Sequence, residues 1–334
     1  MKIKRFHKRL GPISSFLGIR ELPVIFLFAA LFAYFAARAP SFTEIQGLLD
    51  YVRQYTPQVL LAVGLTLIIG SGGIDISVGS VLGFSTVLLG VLLARTSSSV
   101  VVACLFSLAA GAAFGAFNGC AVAYLRLQPV VVTLSTMAFA RGIAYVLAGQ
   151  GISSINLPAR AEWLENAAYV SPAPLVLAFV VTVMGSVALK KTTFGRAILA
   201  VGSNEETARL SGINIGRIKL AIYTIVGALC GISGIMTAGM MYTATTDAGL
   251  GYEFETITAV LIGGTSIAGG EASVVGSVFG VLAAAVLNRG FGLIGISDLW
   301  RMMFLGLILI ISVLLDGVRK HIVRRSAVTE GTGL

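Results

Sequence analysis

Residues 100–125 run for the thickness of a membrane without one charged side chain. About 20 mostly apolar residues suffice for a helix to cross a hydrocarbon core of about 30 Å, and few soluble folds tolerate such a run. The stretch 173–189 repeats the pattern, and 56% of the 334 residues are hydrophobic against 12% charged. A soluble domain of this length needs far more polar surface, so the chain reads as an integral membrane protein. Apolar runs near 22–37, 57–70, 76–94, 100–125, 129–148, 173–189, 219–241, 256–269, 273–288 and 299–315 predict an all-α, polytopic fold of about ten transmembrane helices.

The net charge of +9 follows from orientation. With both termini in the cytoplasm, 17 of the 24 basic residues fall inside, six outside, and Arg141 within a span, as the positive-inside rule requires. Nucleic acid is therefore not an expected partner; the lipid bilayer is. The expected divisions are a basic cytoplasmic tail (1–21), a membrane domain (22–318) that includes a cytoplasmic loop (190–219), and a second cytoplasmic tail (319–334). A basic lead and "ARA" at 37–39 give the first run the outline of a secretory signal peptide. Pro40 directly after the would-be cut, and a lead of about twenty residues, favour a retained helix. Cys104, Cys120 and Cys230 all lie in apolar runs, with neither disulfide nor metal spacing.

Glycine interrupts the spans twice in the same way. "GGIDISVGSVLG" (72–83) aligns without gaps to "GGEASVVGSVFG" (269–280), with seven identities in twelve positions. Two short apolar runs flank each copy, which marks an internal repeat with Gly-broken spans. Such breaks in corresponding places point to a transport pathway, because freed backbone groups face a cavity instead of lipid. The pairs Gly79/Gly83 and Gly111/Gly115 also suit close helix packing. Asp75 has two readings: a cap on the helix that follows, or an intramembrane acid that binds substrate or relays a proton. The polar groups available to line a pathway are Asp75, Ser77, Asn118, Thr133, Ser135, Thr136, Arg141, Glu271 and Asn288, with Phe117 offering an aromatic face to a sugar. Each also fits a helix-packing hydrogen bond, and Arg141 also fits snorkelling from its span.

The loop "KKTTFGRAILAVGSNEETARLSGINIGRIK" (190–219) predicts a short helix. Ser203 and Glu206 have capping-box spacing, Glu205 and Glu206 fill the first turn, Arg209 the last, and Gly212 the terminating position. A helix of about two turns needs something to pack on, either its own bundle or a cytoplasmic partner.

These three segments, "GGIDISVGS", "TTFGRAILAVGSNEETARLSGIN" and "IGGTSIAGGEASVVGSVFG", resemble the ribose/xylose-type permease subunits of bacterial ABC importers. These form part of the branched-chain amino-acid/ribose permease family, and the resemblance spans residues 45–318. It implies a helical pore in the inner membrane that works with a second permease subunit. It also implies partners: a cytoplasmic ATPase docked through a short coupling helix, and a periplasmic or extracellular sugar-binding protein. Thr193, Gly195, Arg196, Gly202, Asn204, Glu205, Ala208 and Gly212 would belong to the docking segment. Ser203, where the family more often has glycine, is expected to strengthen the cap. The chain holds no phosphate loop, no nucleophile elbow and no H-E-x-x-H, so neither a cofactor nor enzymatic activity of its own is expected. An ion-coupled secondary transporter and a non-transporting membrane scaffold are the alternative readings.

Overall fold

The structure, a computed structural model, describes residues 21–297 apart from 97 and 150, and residues 300, 303, 306, 307 and 310. Helix α1 (Leu22–Arg38) leads through a 3-10 turn (Pro40–Thr43) to α2 (Ile45–Gln54) and α3 (Thr56–Gly70). Pro57 at the start of α3 lacks the N–H that would continue α2, and the two helices meet at 45°. Then follow α4 (Val78–Arg95), α5 (Val100–Ala123) and α6 (Pro129–Ala148). A connecting segment carries strand β1 (Ser154–Asn156), α7 (Glu162–Glu165) and a π-helical turn (Asn166–Val170). Helices α8 (Ala173–Lys191), α9 (Thr193–Ser203), α10 (Glu205–Leu210) and α11 (Ile215–Met241) precede strand β2 (Thr243–Thr245). Helices α12 (Tyr252–Ile262) and α13 (Val274–Leu293) complete the set.

Short polar side chains set the starts of these helices. Ser99, Thr192, Asn214 and Ser273 each accept a backbone N–H from the first turn of α5, α9, α11 and α13, satisfying donors that a helix end leaves orphaned. Among the described residues, α4, α5, α6, α8, α11 and α13 are long and apolar enough to cross a membrane. The bent α2–α3 pair makes a seventh span if counted as one, and α1 is a shorter apolar helix of 17 residues. The expected run at 256–269 departs from a full span: α12 stops at Ile262, where Gly263 and Gly264 begin a non-helical stretch up to Ser273. The tails 1–20 and 319–334 and most of the run 299–315 lie outside the described residues.

Helix α3 is the centre of the bundle. All 15 of its residues are buried, as befits a helix that is apolar all round. Beside it, α5 and α11 pack backbone to backbone. A Cβ on Gly115 would stand 2.1 Å from the Tyr223 carbonyl oxygen, and one on Gly111 2.5 Å from that of Gly227. The second expected small-residue pair behaves differently. Gly79 and Gly83 of α4 admit the backbone of residues 248 and 249, not a helix.

That backbone belongs to a segment entering the bundle. Strands β1 and β2 form an antiparallel ribbon (Ser154↔Thr245, Ile155↔Ala244, Asn156↔Thr243), the departure from an all-α fold. After it the chain runs down α4, with Ala244 against Gly90, Ala248 against Gly83 and Gly249 against Gly79. Irregular backbone at membrane depth survives only where protein satisfies its polar groups. Arg141 of α6 does so, donating through Nη1 to the carbonyls of Thr246 (2.7 Å) and Ala248 (2.9 Å), while Tyr145 bonds Asp247. Arg141 therefore points into the bundle and does not snorkel.

Both glycine breaks run in the same sense. Helix α3 enters the first break and α4 leaves it; α12 enters the second and α13 leaves it. The breaks meet at one end of the bundle, the end that also carries α9 and α10.

Candidate functional site

Three backbones converge at that end. The N–H of Gly270, in the second break, donates to the carbonyl of Gly70, in the first, at 2.9 Å. Gly202, in the last turn of α9, lies against both: its Cβ would stand 2.1 Å from the Gly70 oxygen and 2.6 Å from the Gly270 nitrogen. Gly269 packs as closely on Gly72, with 2.8 Å between its would-be Cβ and the Gly72 Cα. The corresponding points of the two repeats thus touch each other and touch one helix, with no side chain between them.

Helix α9 continues into α10, and here the expected cap moves by one residue. Ser203 is still helical, whereas Asn204 has the extended backbone a cap needs (φ −161, ψ 107). Asn204 Oδ1 accepts the N–H of Thr207 at 2.8 Å. Glu206 then falls too early in the helix to close a capping box and pairs with Arg209 at 2.6 Å. That hydrogen bond and charge hold the Arg209 guanidinium above its usual pKa. Ser203 instead places its hydroxyl beside Gly270. At the far end, Gly212 has φ +81 and donates to Arg209, while Ile213 donates to Ala208, a Schellman closure. Lys219 of α11 bonds Glu205 at 2.7 Å and ties α10 to the bundle.

The exposed face of this helix pair carries Thr193, Arg196, Asn204, Glu205, Glu206 and Arg209, with Leu210 79% exposed at its tip. Ala208 and Gly195 are buried. Ala208 is 3% exposed and so lies off the exposed face of the segment, and Gly195 allows the sharp turn from α8, where its Cβ would meet the Leu189 carbonyl at 2.3 Å.

Just inside the first break lies a chain of buried hydrogen bonds. Asp75 Oδ1 accepts the backbone N–H of Ser77 (2.8 Å) and its hydroxyl (2.6 Å). Asn118 of α5 donates to that hydroxyl at 3.0 Å and accepts from Thr136 of α6 at 2.6 Å. Four polar side chains from the break, α5 and α6 are thus mutually satisfied in a site of low dielectric, where unpaired groups are costly.

Residues 47–313 match the family described as branched-chain amino acid transport system / permease component. The chain belongs to that family. The permease is 34% identical over 300 residues to the ribose import permease protein RbsC of Escherichia coli (strain K12), covering 87% of this chain and 91% of the relative. It is 33% identical to RbsC of Bacillus subtilis (strain 168), covering 94% and 95%. It is 30% identical to the galactose/methyl galactoside import permease protein MglC of Escherichia coli (strain K12), covering 92% and 97%. No solved structure matches.

The pathway residues expected in the permease fall in several places. Asp75, Ser77, Asn118 and Thr136 form the buried chain described above. Phe117 and Ser135 face outward on α5 and α6, beside a cavity of about 620 Å³ shared with Phe114 and Phe139. Thr133 bonds back to Pro129 of its own helix. The carbonyl of Glu271 accepts the Ser266 N–H, closing a turn in the second break. Asn288 lies apart, donating to the Tyr55 hydroxyl.

Two groups escaped the sequence reading. The first is Glu253, 5% exposed at the start of α12, whose Oε2 has no hydrogen-bond partner; Arg141, which the sequence does single out, leaves Nη2 in the same state. The second group surrounds the α2–α3 bend. Its signal was present, since Ile45, Leu48, Leu49 and Val52 have amphipathic helical spacing with Asp50, Arg53 and Gln54 between them.

Proposed function

We propose that this chain is the membrane subunit of a binding-protein-dependent ABC importer, carrying a monosaccharide of the ribose or xylose kind into the cytoplasm. A separate subunit hydrolyses ATP and docks on the exposed face of α9 and α10. A sugar-binding protein delivers at the opposite end, a second permease subunit completes the pore, and both termini lie in the cytoplasm. Full membrane topology reaches about ten crossings when α1, the broken spans and the run 299–315 are included.

The observation that carries this reading is Gly202. A helix pair that presents a charged face with one exposed leucine also places its own backbone on both glycine breaks. Movement of α9 displaces the end of α3 and the break between α12 and α13 together, which is what converts closure of an ATPase into a change of access. The ribose and galactose transport named for the relatives supports the sugar class.

The test is reconstitution of the permease with its ATPase in vesicles, with binding protein and labelled D-ribose, D-xylose or D-galactose outside. Uptake is expected only with ATP and with the ATPase present. Full-rate uptake by the permease alone under an ion gradient would replace this reading with a secondary transporter.

A further inference from the structure

At the end of the bundle opposite α9, a cavity of about 370 Å³ lies between the α2–α3 bend, the last turn of α11, the first residue of α12, and Arg289 of α13. Its lining includes Asp50, Tyr51, Arg53, Gln54, Tyr169 and Tyr252, with Met240 and Met241 on the apolar side. We propose that this cavity is a binding site for one neutral monosaccharide on its way through the permease. The proposal rests on the transport reading above and assigns that reading a place for its substrate.

Size comes first. Small-molecule pockets span about 300–1,000 Å³, and this one stands at the lower limit, the size for a single sugar ring rather than a disaccharide. Chemistry points the same way. Arg53 pairs with Asp50 at 2.8 Å and lies over the Tyr169 ring at 5.9 Å. Arg289 donates to the carbonyls of Gly47 and Ser41 and lies over Tyr51 at 5.7 Å. After these contacts the buried Nε–H of each arginine is left without an acceptor. Those two N–H groups are covered and do not reach the cavity; the polar groups open to it are the Asp50 carboxylate and the Gln54 amide. Sugar hydroxyls donate to Asp50 and exchange hydrogen bonds with the Gln54 amide, a neutral acceptor and donor pair. The C–H face of the ring lies against the tyrosines and methionines, since tyrosine combines an apolar face with a polar tip.

Asp50 decides against an anion. A ligand carboxylate would approach an acid already present, while the Arg289 guanidinium is held by two main-chain carbonyls and lies over the rings of Phe42 and Tyr51. The position also suits the task. Pro57, in the lining, opens α3, which ends at Gly70; Tyr252 opens α12, which leads into the second break. A sugar in this cavity therefore touches the starts of α3, whose last residue Gly70 meets Gly202, and of α12, which leads into the break whose Gly270 meets it.

The test uses the full complex in vesicles, with D-ribose, D-xylose and D-galactose as the probes. Met241→Trp, which fills the cavity, and Gln54→Ala, which removes a rim contact, are compared with wild type. Uptake is expected to fall about tenfold in the first, and the half-saturating concentration to rise about tenfold in the second, with ATPase co-purification unchanged. In a Gln54→Cys variant, the transported sugar should slow maleimide labelling about fivefold, a readout independent of turnover. If wild type takes up none of the three sugars, the transport reading fails and takes this proposal with it. If wild type transports but both substitutions match it, the cavity is not the site and the transport reading stands. Stronger protection by D-gluconate than by the neutral sugars overturns the ligand class.

Discussion

Replacing Gly202 by alanine adds one methyl group at the point where three backbones meet. Its carbon would stand 2.1 Å from the Gly70 oxygen, whereas an ordinary C···O approach is about 3.3–3.6 Å. The carbonyl must withdraw by more than about 1 Å, and it then loses the Gly270 N–H that it accepts at 2.9 Å. Overpacking of this kind costs about 1–3 kcal/mol, and the lost hydrogen bond about 0.5–1.5 kcal/mol. Alanine recovers up to about 1 kcal/mol of helix propensity in α9, so the joint loosens by about 1–3 kcal/mol on balance. The exposed face of α9 and α10 is untouched, and the ATPase should still bind. In reconstituted vesicles the expected result is continued ATP hydrolysis with uptake per ATP reduced at least tenfold, the equivalent of about 1.4 kcal/mol. Gly142→Ala is the control: it lies within α6 with open space around it, and transport should be unchanged. Wild-type uptake per ATP by the Gly202→Ala complex would refute the idea that α9 acts through the breaks.

Leu210→Asp places a charge on the exposed tip of α10 and should lower ATPase co-purification severalfold, with the permease itself still folded; unchanged binding would move the docking face elsewhere. Asp75→Asn should retain most transport in an assembled complex, because an amide oxygen can still accept from Ser77, whereas abolished uptake would assign the charge to substrate or proton. Asn118→Ala leaves Ser77 and Thr136 each short of a buried partner, at about 1–3 kcal/mol apiece, and should lower thermal stability in detergent measurably. Single cysteines at Arg196 and Glu162 should label from opposite sides of intact cells, the first only after permeabilisation, and labelling of both from outside would overturn the orientation.

What the sequence makes legible are features with a local physical signature. The glycine breaks, the apolar runs and the short helix closed by Gly212 all follow from composition and spacing. The cap at Asn204 is displaced from Ser203 because both residue types cap well, and only the backbone conformation chooses between them. The contact of Gly202 with both breaks joins residues far apart in the chain, and no periodicity reports it. Helices apolar on every side give no indication of which face looks inward, so Phe117 faces out while its neighbour Asn118 is buried. Residues 246–251 fall between the expected runs 219–241 and 256–269, where a sequence places a connecting loop; their descent along α4 depends on Arg141, a residue of another helix, to satisfy their carbonyls.

A joint whose bearing surfaces are main chain has no rotamers to absorb play, so a displacement at one side arrives undiminished at the other. It also leaves the surrounding side chains at liberty to vary, since none of them forms the bearing. A saturation scan of residues 68–80, 196–206 and 264–274 should therefore give an uneven map. Positions 202 and 269, where a Cβ would stand 2.1 and 2.8 Å from backbone, and 72, at φ +80, should reject even alanine, while Ile267 and Ala268, which flank the same contact and are not buried, accept changes of size.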